Sequence, residues 1–184
     1  MSGTDGKLTL STDAGVFSQH GLDKGTSVFL EVMARHECAP IEPGSFLCDI
    51  GCGSGAITLT LAVRYPACTI YAVDTNKRAR DICLENATRN GLSNIVVKAP
   101  EEVDPSIMFA SMWSNPPIRI GKSALHELLV LWLARLDTGG TAYLVVNKNL
   151  GADSLSQWMN GMNYPTTRLA SRIGFSVLED KTTR

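Results

Sequence analysis

The chain has 184 residues, 44% hydrophobic and 19% charged, with 17 basic and 18 acidic side chains and a net charge of −1. Such a chain can bury about 70% of its unfolded surface, so residues 1–184 are expected to form a single domain without covalent staples. A pI near 6.3 excludes a global electrostatic pull toward nucleic acid, no run of roughly 18 uncharged apolar residues offers a membrane span, and residues 1–10 lack the apolar core of a signal peptide; a cytoplasmic protein with no membrane partner is expected.

Five cysteines, Cys38, Cys48, Cys52, Cys68 and Cys83, form no Cys-x-x-Cys pair, which argues against both a disulfide framework and a zinc site. They read as small buried hydrophobes, and no metal is expected.

In chain order, residues 1–14 are polar and glycine-containing and are expected to be loose. Gly15-Val16-Phe17-Ser18 and Leu22-Asp23-Lys24-Gly25-Thr26 lead into residues 27–36, where Val28, Leu30, Val32 and Met33 predict a helix that ends before Pro40. Pro43-Gly44 marks a turn. A short strand follows, Phe46-Leu47-Cys48-Asp49, and it breaks after Ile50 into Gly51, Gly53 and Gly55. Glycines in this pattern take positive φ and leave the backbone bare, while the helix expected from Ala56 to about Arg64 offers its unpaired N–H groups. That turn is a ligand site. Cys52 lies inside it and reads as a small residue, not a catalytic thiol, because no histidine is near it in sequence.

Tyr65-Pro66 ends the helix, and a second strand, Thr69–Val73, runs into Asp74. Thr75 is positioned to cap a third helix with Ala79, Ile82 and Cys83 on one face, stopping at Asn90-Gly91. Residues 94–98 predict a third strand, followed by Ala99-Pro100-Glu101-Glu102. Residues 108–114 predict a fourth, which delivers Ser114-Asn115-Pro116-Pro117-Ile118. Ser123 is expected to cap a helix on which Leu125, Leu128, Leu129, Trp132 and Leu136 repeat at helical spacing. Asp137-Thr138-Gly139-Gly140 then turns into a strand over 141–147. A helix over 151–160 and a strand pair, 167–171 and 175–179, complete the chain. His20, His36 and His126 read as surface or edge residues. Alternating strands and helices with a final hairpin imply an α/β fold, a mostly parallel sheet with helices on both faces.

The glycine spacing differs from the dinucleotide fingerprint, and no Lys-Ser or Lys-Thr follows it as a P-loop would require. With Asp74 about 20 residues on and Asn115-Pro116-Pro117-Ile118 further down, the chain resembles the class I S-adenosylmethionine-dependent methyltransferases. With the Gly-Val-Phe-Ser and Leu-Asp-x-Gly-Thr segments added, it most resembles the small-domain group of the ribosomal RNA guanine-N2 enzymes. The resemblance implies a Rossmann-like, seven-stranded sheet with an antiparallel last strand and ligands at the carboxyl ends where strand order reverses. It implies S-adenosyl-L-methionine as cofactor, with Asp49, Gly51, Cys52, Gly53 and Gly55 around its methionine part and Asp74 with Thr75 at its ribose. Pro100 stands where the group carries an acid for adenine, leaving Glu101 or backbone near Ala99 to substitute. Phe17 and Thr26 either line the pocket or serve as a core plug and an N-cap.

The Asn-Pro-Pro-Ile signature suits transfer to a planar amine, whose lone pair is delocalised and must be redirected. Asn115 and Pro116 both precede a proline and are held extended, and neither proline offers an N–H. The carbonyls are therefore expected to point outward without closing a turn, with Asn115 Oδ1 and the Pro116 carbonyl accepting the amine hydrogens. Ile118 occupies the place of an aromatic residue that stacks on the base. The resemblance implies N-methylation of an exocyclic amine, guanine N2 of ribosomal RNA first. Alternatives are protein glutamine, DNA adenine N6, and a silent adenosylmethionine-binding module. RNA is the expected substrate, a protein partner could supply RNA affinity, and the protein is a monomer or dimer.

Overall fold

The structure is a computed structural model that describes residues 8–11, 22–117 and 120–182. Its helices are α1 (Lys24–Met33), α2 (Ala56–Arg64), α3 (Lys77–Arg89), α4 (Lys122–Leu133) and α5 (Ala152–Gly161). Its strands are β1 (Phe46–Ile50), β2 (Thr69–Val73), β3 (Ile95–Lys98), β4 (Phe109–Ser114), β5 (Leu136–Asn147), β6 (Thr166–Arg172) and β7 (Phe175–Lys181). The strands form one sheet in the order β3-β2-β1-β4-β5-β7-β6. β1 pairs in parallel with both β2 and β4, and β7 runs antiparallel to β5 and β6. Strand order therefore reverses between β1 and β4, at the end that carries the glycine turn and the Asn-Pro-Pro signature.

Alternation along the strands divides the core in two, because successive side chains leave a strand on opposite faces. Leu47, Ile70, Trp113, Tyr143 and Val177 pack against α1 and α2 through Phe29, Met33, Ile57 and Leu61. Cys48, Met112, Leu144 and Leu178, their neighbours in sequence, pack against α4 and α5 through Leu125, Leu129, Trp132, Leu155 and Met159. Each large side chain buried this way contributes about 1.5–3 kcal/mol. On the first face Trp113 meets Phe29 edge-on at 5.4 Å and Tyr143 at 5.9 Å.

Several local expectations change. Leu136 begins β5 and is no part of α4: the Phe109 N–H donates to the Arg135 carbonyl at 2.8 Å, and Leu136 pairs with Phe109. Its helical spacing arose because it shares a buried cluster with Trp132. The Gly139-Gly140 stretch is absorbed as an irregularity within β5. A side chain at Gly140 would meet the Asp137 carbonyl at 2.9 Å and the Phe109 carbonyl at 3.1 Å. Asn76 caps α3 in place of Thr75, its Oδ1 accepting from the Arg78 N–H at 3.0 Å. Gly121 takes the cap position of α4, and Ser123 instead bonds Glu127.

His36 is no free surface residue. It packs on Tyr143 at 5.6 Å with Nε2 3.4 Å from Glu179 Oε1. His126 stacks on Trp158 at 3.7 Å, and His20 lies outside the described residues. Within the stretch expected to be loose, residues 8–11 lie along α3. Asn90 exchanges hydrogen bonds with Thr9 at 2.9 and 2.8 Å, and Asn86 does so with Ser11 at 2.9 Å.

Candidate active site

The glycine turn starts where β1 ends. Gly51 and Cys52 both donate their N–H to the Val73 carbonyl, at 2.8 and 3.0 Å, which folds the turn over the end of β2. Gly51, Gly53 and Gly55 have φ of 76, 54 and 92°, conformations that favour glycine. The Gly53 N–H donates to Asp74 Oδ2 at 3.0 Å, and the Asn76 N–H to Asp74 Oδ1 at 2.8 Å. Both oxygens of Asp74 are thus fixed by backbone and keep further lone pairs for a ligand.

Asp49 lies beneath the turn, fully buried. Thr58 Oγ1 donates to its Oδ2 at 2.6 Å, and its Oδ1 has no donor among the described residues. Burial pushes its carboxyl up to about 7, against the opposing Thr58 bond, and the Asp74 charge adds to the rise. A buried carboxylate with one empty oxygen favours a cation close by.

β4 brings the signature to the same place. Ser114 Oγ donates to the Ile50 carbonyl at 2.6 Å, tying the ends of β4 and β1 together. Asn115 then donates through Nδ2 to Asp23 Oδ2 at 2.8 Å and to Thr26 Oγ1 at 3.0 Å. Both amide hydrogens are engaged, and Oδ1 is the end left to accept. Pro116 is buried and Pro117 exposed. The carbonyl of Pro117 accepts from the Ile120 N–H at 3.0 Å, so it is bonded within the chain, contrary to the expectation that it points outward. Ile118 and Phe17 lie outside the described residues.

These parts surround a cleft of about 580 Å³, lined among others by Asp23, Thr26, Gly51, Asp74, Asn115 and Pro117. That volume suits a nucleoside-sized ligand. Cys52, Gly53 and Thr75 also line it, whereas Gly55 does not. Gly55 packs against α3, where a side chain would lie 2.8 Å from Cys83 Sγ. Thr26 lies in the first turn of α1 and faces the cleft, and Asp23, not Thr26, is the cap.

The stretch after β3 departs from expectation. Pro100 lines the cleft, but Ala99 and Glu101 do not. The Ala99 N–H donates to Glu102 Oε2 at 2.8 Å, which removes it as a free donor for adenine. Opposite, the apolar wall of Val73, Ile120 and Leu128 includes Trp132. Its indole is 1% exposed and its Nε1 has no acceptor among the described residues, although buried donors are almost always paired. Asp23 and Trp132 were not singled out as site residues from the sequence. Asp23 carried a cap signal, three residues before Thr26; Trp132 carried only helical spacing.

Comparison with known proteins agrees with this geometry. Residues 7–179 match the family described as methyltransferase small domain. The chain is 31% identical over 177 residues to the uncharacterized protein YbxB of Bacillus subtilis, covering 95% of this chain and 86% of that protein. It is 30% identical over 168 residues to the ribosomal RNA small subunit methyltransferase C of Shewanella loihica, covering 89% of this chain. The chain spans about half the length of that relative, 47%. Among solved structures, the T. thermophilus 16S rRNA N2 G1207 methyltransferase, in complex with AdoMet and guanosine, superposes with a TM-score of 0.70 at 23% identity, over 91% of this chain and 45% of that one.

Proposed function

The chain belongs to the methyltransferase small domain family, and we propose that it methylates the exocyclic N2 of guanine in small-subunit ribosomal RNA. Its cofactor is S-adenosylmethionine. The residues present suit that group: paired lone pairs on Asp74 for ribose hydroxyls, bare glycine backbone, an unpaired Asp49 oxygen behind it, and an apolar wall for a base. When bound, the cofactor supplies an electrophilic sulfonium methyl.

The observation that carries the reading is the Asn115 carboxamide, whose nitrogen is bonded to Asp23 and Thr26 so that Oδ1 is the acceptor. Oδ1 and the Pro116 carbonyl take the two hydrogens of the amine. That holds the amine so that its lone pair is turned out of the ring plane toward the methyl. Transfer would form the N–C bond as the S–C bond breaks, leaving a neutral thioether and a positive amine nitrogen, and the two fixed oxygens would stabilise that charge more than the neutral ground state. No general base is needed, since the methylated nitrogen is acidic and releases its proton to water afterwards. Small-subunit ribosomal RNA as the substrate is supported by the relatives named ribosomal RNA small subunit methyltransferase C, and guanine N2 by the similar fold of the T. thermophilus 16S rRNA N2 G1207 methyltransferase.

The test is incubation with labelled S-adenosylmethionine and, in parallel, undermethylated small ribosomal subunits, bare rRNA, tRNA, DNA and a release-factor-like protein. Label in N2-methylguanosine is the expected outcome. Label in glutamine or in N6-methyladenine would replace the substrate, and cofactor binding without any transfer would make the protein a silent binding module. Asn115→Ala is expected to lower turnover about 10²–10³-fold, the cost of losing one preorganised transition-state contact, while leaving cofactor affinity nearly intact.

A further inference from the structure

Capping α1 requires little of Asp23. The cap needs one oxygen on the Thr26 N–H, here Asp23 Oδ2 at 3.1 Å, and Asn or Ser supplies one as well as Asp does. Yet the same oxygen accepts from Asn115 Nδ2 at 2.8 Å, across 92 residues of sequence, and Thr26 Oγ1 takes that nitrogen's other hydrogen at 3.0 Å. The contact is also built into the packing. A side chain at Gly25 would lie 3.0 Å from Asp23 Oδ2, 3.0 Å from Phe175 Cε1 and 3.3 Å from Asn115 Nδ2. The first turn of α1, the end of β4 and the start of β7 thus close tightly on the Asn115 amide, and a side chain at Gly25 would have to displace these neighbours.

A carboxamide has two nearly isosteric ends, one donor and one acceptor. A rotation of half a turn about its last bond would present N–H groups to an amine substrate, and two donors facing each other repel. A carboxylate on one side breaks that symmetry, because only the nitrogen end can bond to it. Such a charge-assisted bond is roughly twice as strong as a neutral one. It also draws positive charge to the nitrogen end and leaves Oδ1 more negative, a polarisation that hydrogen-bonded chains pass along.

We infer that Asp23 is a positioning residue for methyl transfer: its carboxylate selects the orientation of the Asn115 carboxamide and strengthens Oδ1 as the acceptor of the substrate amine. This rests on the amine-binding role given to Asn115 above. Asp23 touches neither the methyl group nor the reacting nitrogen. Its effect falls on the transition state, where the charge on the amine grows, and so on kcat in preference to KM.

Two substitutions keep the cap and remove the charge, Asp23→Asn and Asp23→Ser, so that one remains informative should the other fold poorly. Each is compared with the wild type for thermal midpoint, S-adenosylmethionine affinity, and kcat and KM on undermethylated small ribosomal subunits. The expected result is kcat lower by about 10- to 100-fold, below the loss for a direct contact, with KM, cofactor affinity and thermal midpoint unchanged. Wild-type activity retained in either folded variant would overturn the role of Asp23 and leave the proposed function standing. A fall in cofactor affinity or thermal midpoint that accounts for the lost rate would reduce Asp23 to a structural cap. If the wild type transfers no methyl to any RNA, DNA or protein tested, the reading of Asn115 fails, and the role of Asp23 falls with it.

Discussion

Asp49 and Asn115 show how much one side chain's surroundings decide. Asp49 differs from an exposed aspartate only in being buried beneath the glycine turn with a single donor, Thr58. Its carboxyl therefore holds a proton up to about 7 in the folded chain, while the unfolded chain loses it near 4. The folded state then binds more protons across that window, so stability is fully present below about pH 4 and falls as pH rises toward 7. Asp49→Asn still accepts from Thr58 and cannot ionise. Urea denaturation at about pH 5 and about pH 7.5 should show the fall in the wild type and its loss in Asp49→Asn. A cationic ligand pulls the equilibrium the other way, so the affinity of the wild type for S-adenosylmethionine should rise over the same range, read by calorimetry with net proton release.

Among the elements, the glycine turn and its helix form one mechanical unit. Gly55 has φ of 92° and sits at the N-cap of α2, and a side chain there would lie 2.8 Å from Cys83 Sγ and 3.0 Å from Leu59 Cδ1. Gly55→Ala combines backbone strain with an overpacked contact, for an expected loss of about 2–4 kcal/mol in chemical denaturation. Cofactor binding should weaken with it, because α3 and the turn move apart. Gly53, by contrast, would carry a Cβ with no described atom within 4 Å, so among the described residues Gly53→Ala meets only the cost of positive φ, about 1 kcal/mol. The two variants separate packing from conformation. The α4 to β5 passage illustrates the reverse case. Leu136 satisfied a helical repeat and also a strand start, and the backbone pairing with Phe109 decided between them.

At the level of the molecule, both faces of the sheet are filled before the cleft is considered. The cleft lies where the carboxyl ends of β1 and β4 are left open between the two faces, the usual consequence of reversed strand order. Ligand binding there links loops after β1, β2 and β4 with the start of α1, and should act on global stability. S-adenosylmethionine at about 100 times its Kd should raise the unfolding free energy by about 2.7 kcal/mol, and the thermal midpoint by about 5–10 °C for a chain of this size. Asp74→Ala should remove most of that shift, measured by calorimetry, since it loses the anchor of the Gly53 N–H and, on the proposed reading, an acceptor for the ribose hydroxyls.

The glycine turn, the acid near the end of β1 and the one after β2, the Asn-Pro-Pro signature and the alternation of strands and helices were determined by the sequence alone, because each depends on spacing within one turn or one strand. Positive φ favours glycine, and a proline turns the residue before it away from the helical region, whatever the rest of the chain does. Tertiary structure decided the rest. It brought Asp23 to Asn115 and so set which end of the carboxamide accepts, a contact no local spacing encodes. It spent the Ala99 N–H on Glu102, assigned Leu136 to β5, and left the Trp132 indole at the cleft without an acceptor among the described residues. Each of these is settled by competition for one hydrogen bond or one space among segments distant in the chain, and such competition is resolved only when the segments meet.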